Sequence, residues 1–278
     1  MNVIDIDRLE SEREEARERL ASAPSYPHIV LENFLDREAC EALLKEFIES
    51  EDDPDWTQYV HYNERKQGFT NADRMGPRTR EIIAELSSPR FCRWLSSIAG
   101  VDALIADPDL DGGGLHKIET GGYLNLHVDY LSHTLHRNWS RQINLLVFLN
   151  HDWRPEYNGA LELWNHDMTQ QLEKIEPEFN RCVIFRTVEG SFHGHPMPLR
   201  CPEGVGRRSL ALYYFREEEK PLRLSPTNYR ARPDEPILTH AKVAADRTAL
   251  RAYSFMKRYL GLSDRHLSRV IRALRRED

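Results

Sequence analysis

Apolar positions change their spacing twice along this chain, and each change marks a change of element. Residues 5–20 set Ile6, Leu9, Ala16 and Leu20 on a thin stripe among Glu/Arg pairs such as Glu14 with Arg17, which predicts an exposed helix ending before Pro24. The run HIVLENFL reads as an edge strand, after which Asp36 caps a helix faced by Leu43, Leu44, Phe47 and Ile48. Residues 51–78 are polar and rich in turn formers, so loop is expected there. Helical spacing returns through Ile82, Ile83, Phe91, Trp94, Leu95 and Ile98, so the N-terminal third is expected to be mainly helical.

From about Gly112 to Phe215 the period shortens, and short runs of Val, Ile, Leu, Tyr and Phe alternate with Gly, Asn, Asp and Pro. Strands are predicted over 114–119, 123–129, 142–150, 160–164, 182–187 and 209–215. None of the connections holds a helix long enough for a parallel crossover, so the topology should be an antiparallel sandwich or jelly roll. Beyond the Pro-rich stretch 221–236, Leu250, Tyr253, Met256 and Leu260 return to helical spacing. Gly261 stops that helix and Ser263 caps a second one, faced by Leu267, Val270, Ile271 and Leu274. The expected fold class is α+β, a mainly β core with flanking α-helices at both termini. Its parts are 1–111 as helical support with the first strand of the core, 112–217 as the core, and 218–278 as a connector and basic helices.

Composition narrows the class. The 278 residues are 40% hydrophobic and 30% charged, with a mean hydropathy of −0.64, as expected of a soluble globular protein without a membrane span. The longest apolar runs, such as 143–149, are only strand-sized. The first twenty residues are charged throughout and lack the apolar middle of a secretory signal, so a cytoplasmic location is expected. Cys40, Cys92, Cys182 and Cys201 show no CxxC spacing, which argues against a zinc knuckle, an iron–sulfur cluster or a disulfide framework. The net charge of −7 gives no reason to expect nucleic-acid binding. From Ala241 onward, however, ten Lys/Arg face four Asp/Glu. Such a basic tail is either a solvated face that neutralises the acidic body or a surface for a phosphate or a partner.

The most informative segment is GGYLNLHVDY. In a strand, Tyr123, Asn125, His127 and Asp129 share one face and Leu124, Leu126 and Val128 the other. His127 and Asp129 can therefore offer an imidazole nitrogen and a carboxylate oxygen to one metal ion. A third ligand should come from a distant His that the sandwich brings close, and SFHGHPMPL supplies His193 and His195. Two His and one carboxylate form the facial set that suits non-haem Fe(II) and leaves positions open. In RRSLALYYF, Arg208 shares a side with Leu210, Leu212 and Tyr214, and Arg207 with Ser209, Ala211 and Tyr213. A core-facing Arg needs a buried anion, and leaving one unpaired costs roughly 3–5 kcal/mol. Arg208 is the expected partner of a dicarboxylate.

The segments GGYLNLHVDY, SRQINLLVFLN, GALELW, SFHGHPMPL and RRSLALYYF, in this order, resemble the Fe(II)- and 2-oxoglutarate-dependent oxygenases, in particular the prolyl 4-hydroxylase-like branch. The likeness covers about 112–215. It implies a double-stranded β-helix (a jelly roll) in which His127, Asp129 and His193 bind iron and are the catalytic residues. His193 is favoured over His195 because the family's ligand precedes a Gly. It implies Fe(II), 2-oxoglutarate and O2 as cofactor and cosubstrates, admits ascorbate, and places the distal carboxylate of 2-oxoglutarate on Arg208. Several relatives carry a Tyr near the position of Phe148 that bonds the cosubstrate. Phe cannot, so Tyr123, Asn144 or Ser209 would have to help Arg208. The retained Asp129 favours hydroxylation over halogenation, with release of succinate and CO2.

Other residues have plainer readings. His195 is expected at the pocket edge, while His133, His136 and Trp139 either flank a substrate entrance or are simple surface residues. Glu162 is expected to face outward from its strand. The substrate, peptidyl or small-molecule, is not legible, nor is the oligomeric state, for which the basic C-terminal helices are a candidate interface. Two other classes fit parts of the pattern. A cupin-like Zn(II) isomerase or hydrolase leaves Arg208 unexplained, and a noncatalytic binding module leaves the intact ligand set unexplained.

Overall fold

The computed structural model describes residues 3–23, 26–223 and 225–260. The helix expected after Ser263, and the basic tail beyond residue 260, lie outside the described residues. The amphipathic N-terminus forms α1 (Ile6–Ser11) and α2 (Arg13–Ala21), which break at Glu12. Next come β1 (His28–Leu31) and α3 (Arg37–Glu49), capped by the Asp36 carboxylate accepting from the Glu38 and Ala39 N–H groups. Then follow β2 (Thr57–His61), β3 (Glu64–Phe69), α4 (Pro77–Leu86), α5 (Pro89–Ala99) and β4 (Ile105–Ala106). The core strands are β5 (Gly114–Ile118), β6 (Tyr123–Val128), β7 (Trp139–Phe148), β8 (Leu161–Trp164), β9 (Gln171–Ile175), β10 (Cys182–Arg186), β11 (Phe192–His195) and β12 (Arg207–Glu217). Short β13 (Asn228–Tyr229) and long α6 (Ile237–Leu260) complete the described chain.

The strands form one sheet in the order β1-β10-β7-β12-β5-β3-β6-β11-β8-β9, with β13 on β6, β2 on β3 and β4 on β12. Every strand pairing is antiparallel, as the short connections required. The sheet is curled: β7 and β6 are far apart in this order, yet Asn144 of β7 donates to Asp129 at the end of β6. This is the mainly β jelly-roll core with helices that the sequence implied.

Curling gives the central strands two buried sides. Leu210, Leu212 and Tyr214 of β12 pack outward with Leu145 and Val147 of β7 against the helical layer of Leu43, Phe47, Ile82, Leu86 and Phe91. The other side of the same strands lines the inside of the curl. The stretch 51–78, expected as loop, instead supplies the β2–β3 hairpin, whose β3 joins β5 to β6. Its residues TQYVH and ERKQGF are mostly polar because they face solvent or a polar cavity, so hydrophobic patterning could not reveal them. A close approach of β11 to β6 explains Gly194: a Cβ there would lie 2.7 Å from the Leu124 carbonyl oxygen. Among the described residues, no helix is long and apolar enough to cross a membrane.

Candidate metal centre and adjoining cavity

Strand register brings the distant ligands together, because His193 of β11 pairs directly with His127 of β6. The His127 Nε2 lies 3.5 Å from Asp129 Oδ1 and the His193 Nε2 3.3 Å from Asp129 Oδ2. The three ligand atoms all fall within 4.8 Å of one another, and all three residues are buried. Each imidazole is aimed from behind. The His127 Nδ1–H donates to the Asn125 carbonyl at 2.9 Å and the His193 Nδ1–H to the Ser191 carbonyl at 3.1 Å, which leaves both Nε2 lone pairs facing Asp129. Spacing alone had left His193 and His195 open as the third ligand, and it is His193 that the register brings to His127 and Asp129.

Asp129 is itself held. Its Oδ2 accepts from Asn144 Nδ2 at 2.6 Å and lies 3.2 Å from Arg141 Nη2. The Arg141 Nε in turn donates to Asn144 Oδ1, and its guanidinium stacks 3.4 Å above the Tyr213 ring. Burial alone would raise the Asp129 pKa, but Arg141 and the two imidazoles outweigh it and hold the carboxyl well below its usual range. Burial and then the neighbouring His193 push His127 down, so it stays neutral and able to ligate.

A small cavity of about 70 Å³ adjoins these three groups, with Lys66, His116, His195, Arg207, Ser209 and Tyr213 in its wall. Lys66 is paired with Glu64 at 3.1 Å, whereas Arg207 has no carboxylate partner among the described residues. Its Nε donates to the Gly159 carbonyl and its guanidinium lies 4.8 Å from the Phe148 ring centroid. Burial without a counter-ion drives the Arg207 pKa down to about 10. Among the described residues, both ring nitrogens of buried His195 lack a hydrogen-bond partner. Burial, Arg207 and Lys66 keep His195 neutral, and burial and Lys66 take His116 down to about 3. The wall thus offers one uncompensated cation and neutral imidazoles, the donor set an organic dianion needs.

Two expectations are corrected. Arg208 does not face this cavity: its Nε donates to Glu51 Oε1 at 2.7 Å, on the side of β12 that packs toward the helices. Alternation correctly separated Arg207 from Arg208, but the apolar side it marked as core is the helix-packed side, and the inside of the curl is the other. Tyr123 does not share the face of His127. Leu124 and His127 oppose His195 and His193, so β6 spends three residues where β11 spends two, and this bulge reverses the alternation. The Tyr123 hydroxyl donates to the Tyr62 carbonyl, and Leu124 takes the place in the cavity wall.

Asn144 does line the cavity, and Ser209, named as an alternative helper, lines it too. Sequence reading missed Arg141, Lys66 and His116. Arg141 was hidden by a second bulge: Tyr214 pairs with Ile143 but Phe215 with Arg141, so skipping Gln142 puts Arg141 on the face of Asn144. Glu162 points away from the inner cavity that its neighbour Leu161 lines, yet it is buried, and its carboxylate accepts from Trp164 Nε1. A second group, Asp109, His133 and His136, also brings possible ligand atoms together. Here His133 Nδ1 accepts from the Leu135 and His136 N–H groups, so its proton sits on Nε2, which donates to Asp107. Both nitrogens are spent, and the group works as a loop clasp.

Residues 113–216 match the family model described as the 2OG-Fe(II) oxygenase superfamily. No curated protein matches the sequence. Among solved structures, a Pseudomonas putida prolyl-4-hydroxylase is similar over 73% of this chain and 99% of its own, at 15% identity and a TM-score of 0.53. A Trichoplax adhaerens prolyl hydroxylase, solved with a hypoxia inducible factor peptide fragment, is similar over 75% and 92%, at 16% identity and a TM-score of 0.54. The α-ketoglutarate-dependent epimerase SnoN from nogalamycin biosynthesis is similar over 77% and 95%, at 13% identity and a TM-score of 0.51. The resemblance read from the sequence to the superfamily is borne out over residues 113–216, and at these identities the likeness to the solved structures speaks for the fold alone.

Proposed function

We propose that this protein is a 2-oxoglutarate-dependent dioxygenase that hydroxylates an unactivated C–H bond, with Fe(II) on His127, Asp129 and His193 and the distal carboxylate of 2-oxoglutarate on Arg207. One observation carries the reading: three ligand atoms converge beside a buried guanidinium that lacks an anion. Bound Fe(II) with 2-oxoglutarate and O2 supplies the oxidising chemistry, releasing succinate and CO2.

The chain's own residues perform the rest. Asn125 and Ser191 carbonyls fix the imidazole orientations, and Asn144 and Arg141 keep the Asp129 carboxylate ionised and aimed. Arg207, His195 and Ser209 form the polar end of the cosubstrate seat, while Leu146, Leu161 and Phe185 exclude water from it. A Zn(II) hydrolase would use the same three ligands but gives the buried Arg207 nothing to bind. The two readings separate on anaerobic addition of Fe(II) and 2-oxoglutarate. A weak visible charge-transfer band that is lost in His127→Ala and His193→Ala supports the oxygenase. Absence of the band in wild-type protein with bound iron would defeat it.

A further inference from the structure

A second, wider concavity of about 810 Å³ opens beside Asp129. Part of its wall comes from the chain after β12: Ser225, Asn228 and Arg230 around β13, then Arg251 and Phe255 on α6. This segment is fastened to the metal-ligand strand. The β13 strand pairs with Val128 and His127, and Tyr229 lies 5.2 Å from the His127 ring centroid. Asp246 of α6 bonds His61 at 2.8 Å and Asn63 at 2.6 Å on the β2–β3 hairpin.

Three guanidiniums gather here: Arg230, and Arg247 and Arg251 one turn apart on α6. Among the described residues, none of the three has a carboxylate within ion-pair distance, in a chain with 45 Asp and Glu. Arg247 directs Nη1 to Asn228 Oδ1 and the Tyr229 carbonyl, and its Nε is buried without a hydrogen-bond partner. Burial, Arg251 and Arg230 together lower its pKa. Like charges one turn apart repel. Of the two acids in the wall, Asp129 is already compensated by Arg141, and Glu189 pairs with neither arginine. An apolar floor lies beneath the cations, where Arg230 sits 5.7 Å over the Phe192 ring.

We propose that this concavity is the entrance for the primary substrate and that the substrate is a small organic anion, its carboxylate or phosphate seated by Arg230 and Arg251. The inference takes the word substrate from the oxygenase reading, while the anion site itself rests on the arginines alone. The volume suits a metabolite-sized molecule, and paired guanidiniums suit the planar or tetrahedral oxyanion.

The test uses the full chain, with Zn(II) and saturating 2-oxoglutarate, titrated calorimetrically with phenylphosphonate and with its neutral dimethyl ester. Phenylphosphonate should bind at least tenfold more tightly than the ester. Arg230→Gln and Arg251→Gln should each weaken it about tenfold, and Arg207→Met should leave it unchanged. Equal binding of acid and ester, or wild-type affinity in the double Arg230→Gln/Arg251→Gln variant, overturns the proposal. So does binding that depends on Arg207, which would place the probe in the inner cavity. If 2-oxoglutarate itself fails to bind, the oxygenase reading falls, and phosphonate affinity that still depends on Arg230 and Arg251 upholds the anion site separately.

Discussion

Replacing Arg207 by Met removes the guanidinium that lies over Phe148 and keeps an apolar stem, so it isolates the charged group. Arg207 is 5% exposed, and its depressed pKa of about 10, against an ordinary 12.5, means the fold disfavours the charged form. At 1.36 kcal/mol per unit, that penalty is about 3 kcal/mol at every pH well below 10, and so is present in full at neutrality. A charge-assisted bidentate pair with a carboxylate returns a similar ~3 kcal/mol, equivalent to roughly 150-fold in affinity. Two results are expected. Without ligand, the variant melts no lower than wild type, because the loss of the Gly159 hydrogen bond is offset by relief of an unpaired charge. With ligand, anaerobic titration of the Fe(II) complex shows 2-oxoglutarate binding weakened by about two orders of magnitude. The matched control is Arg208→Met, which breaks a partly exposed pair with Glu51 worth about 1 kcal/mol or less and leaves 2-oxoglutarate affinity unchanged. A 2-oxoglutarate affinity within threefold of wild type in Arg207→Met, or a large loss in Arg208→Met, would refute the assignment.

Asp129→Gly is expected to abolish metal binding, read by competition for Mn(II), while circular dichroism stays native. Asn144→Ala should weaken Mn(II) about tenfold, the usual cost of losing a group that orients a ligand, and unaltered affinity would remove Asn144 from that role. Burial alone would lower the pKa of His61, but Glu64 and Asp246 outweigh it and raise it above 6.5. Its contribution to stability is therefore complete below the unfolded value and is lost as pH rises through the folded one. Raising pH from about 6 to about 9 should lower the melting temperature of wild type more than that of His61→Gln, and parallel curves would show that this clasp on α6 carries no weight. Leu145→Ala, in the fully buried layer between sheet and helices, should cost about 3 kcal/mol in denaturant unfolding.

Much of this molecule is written in local pattern. Period-two runs located six core strands, the Asp36 cap and the apolar stripe located α3, and short connections dictated antiparallel pairing. These succeed because burial on one side leaves a spacing that a strand or helix must obey. The HxD pair was legible for the same reason, since its residues are neighbours in the chain. The β2–β3 hairpin was not, because strands facing a polar cavity carry no hydrophobic signal. Which arginine enters the cavity was beyond the sequence too. Alternation sorts Arg207 from Arg208 but cannot tell which of two buried sides holds the helices and which the inside of the curl. Two bulges, invisible in composition, turned Tyr123 away from the metal ligands and brought Arg141 to them. Sequence thus determined the strands and the ligand types. Only the tertiary structure decided their direction, because facing depends on register and curvature, which strands set jointly.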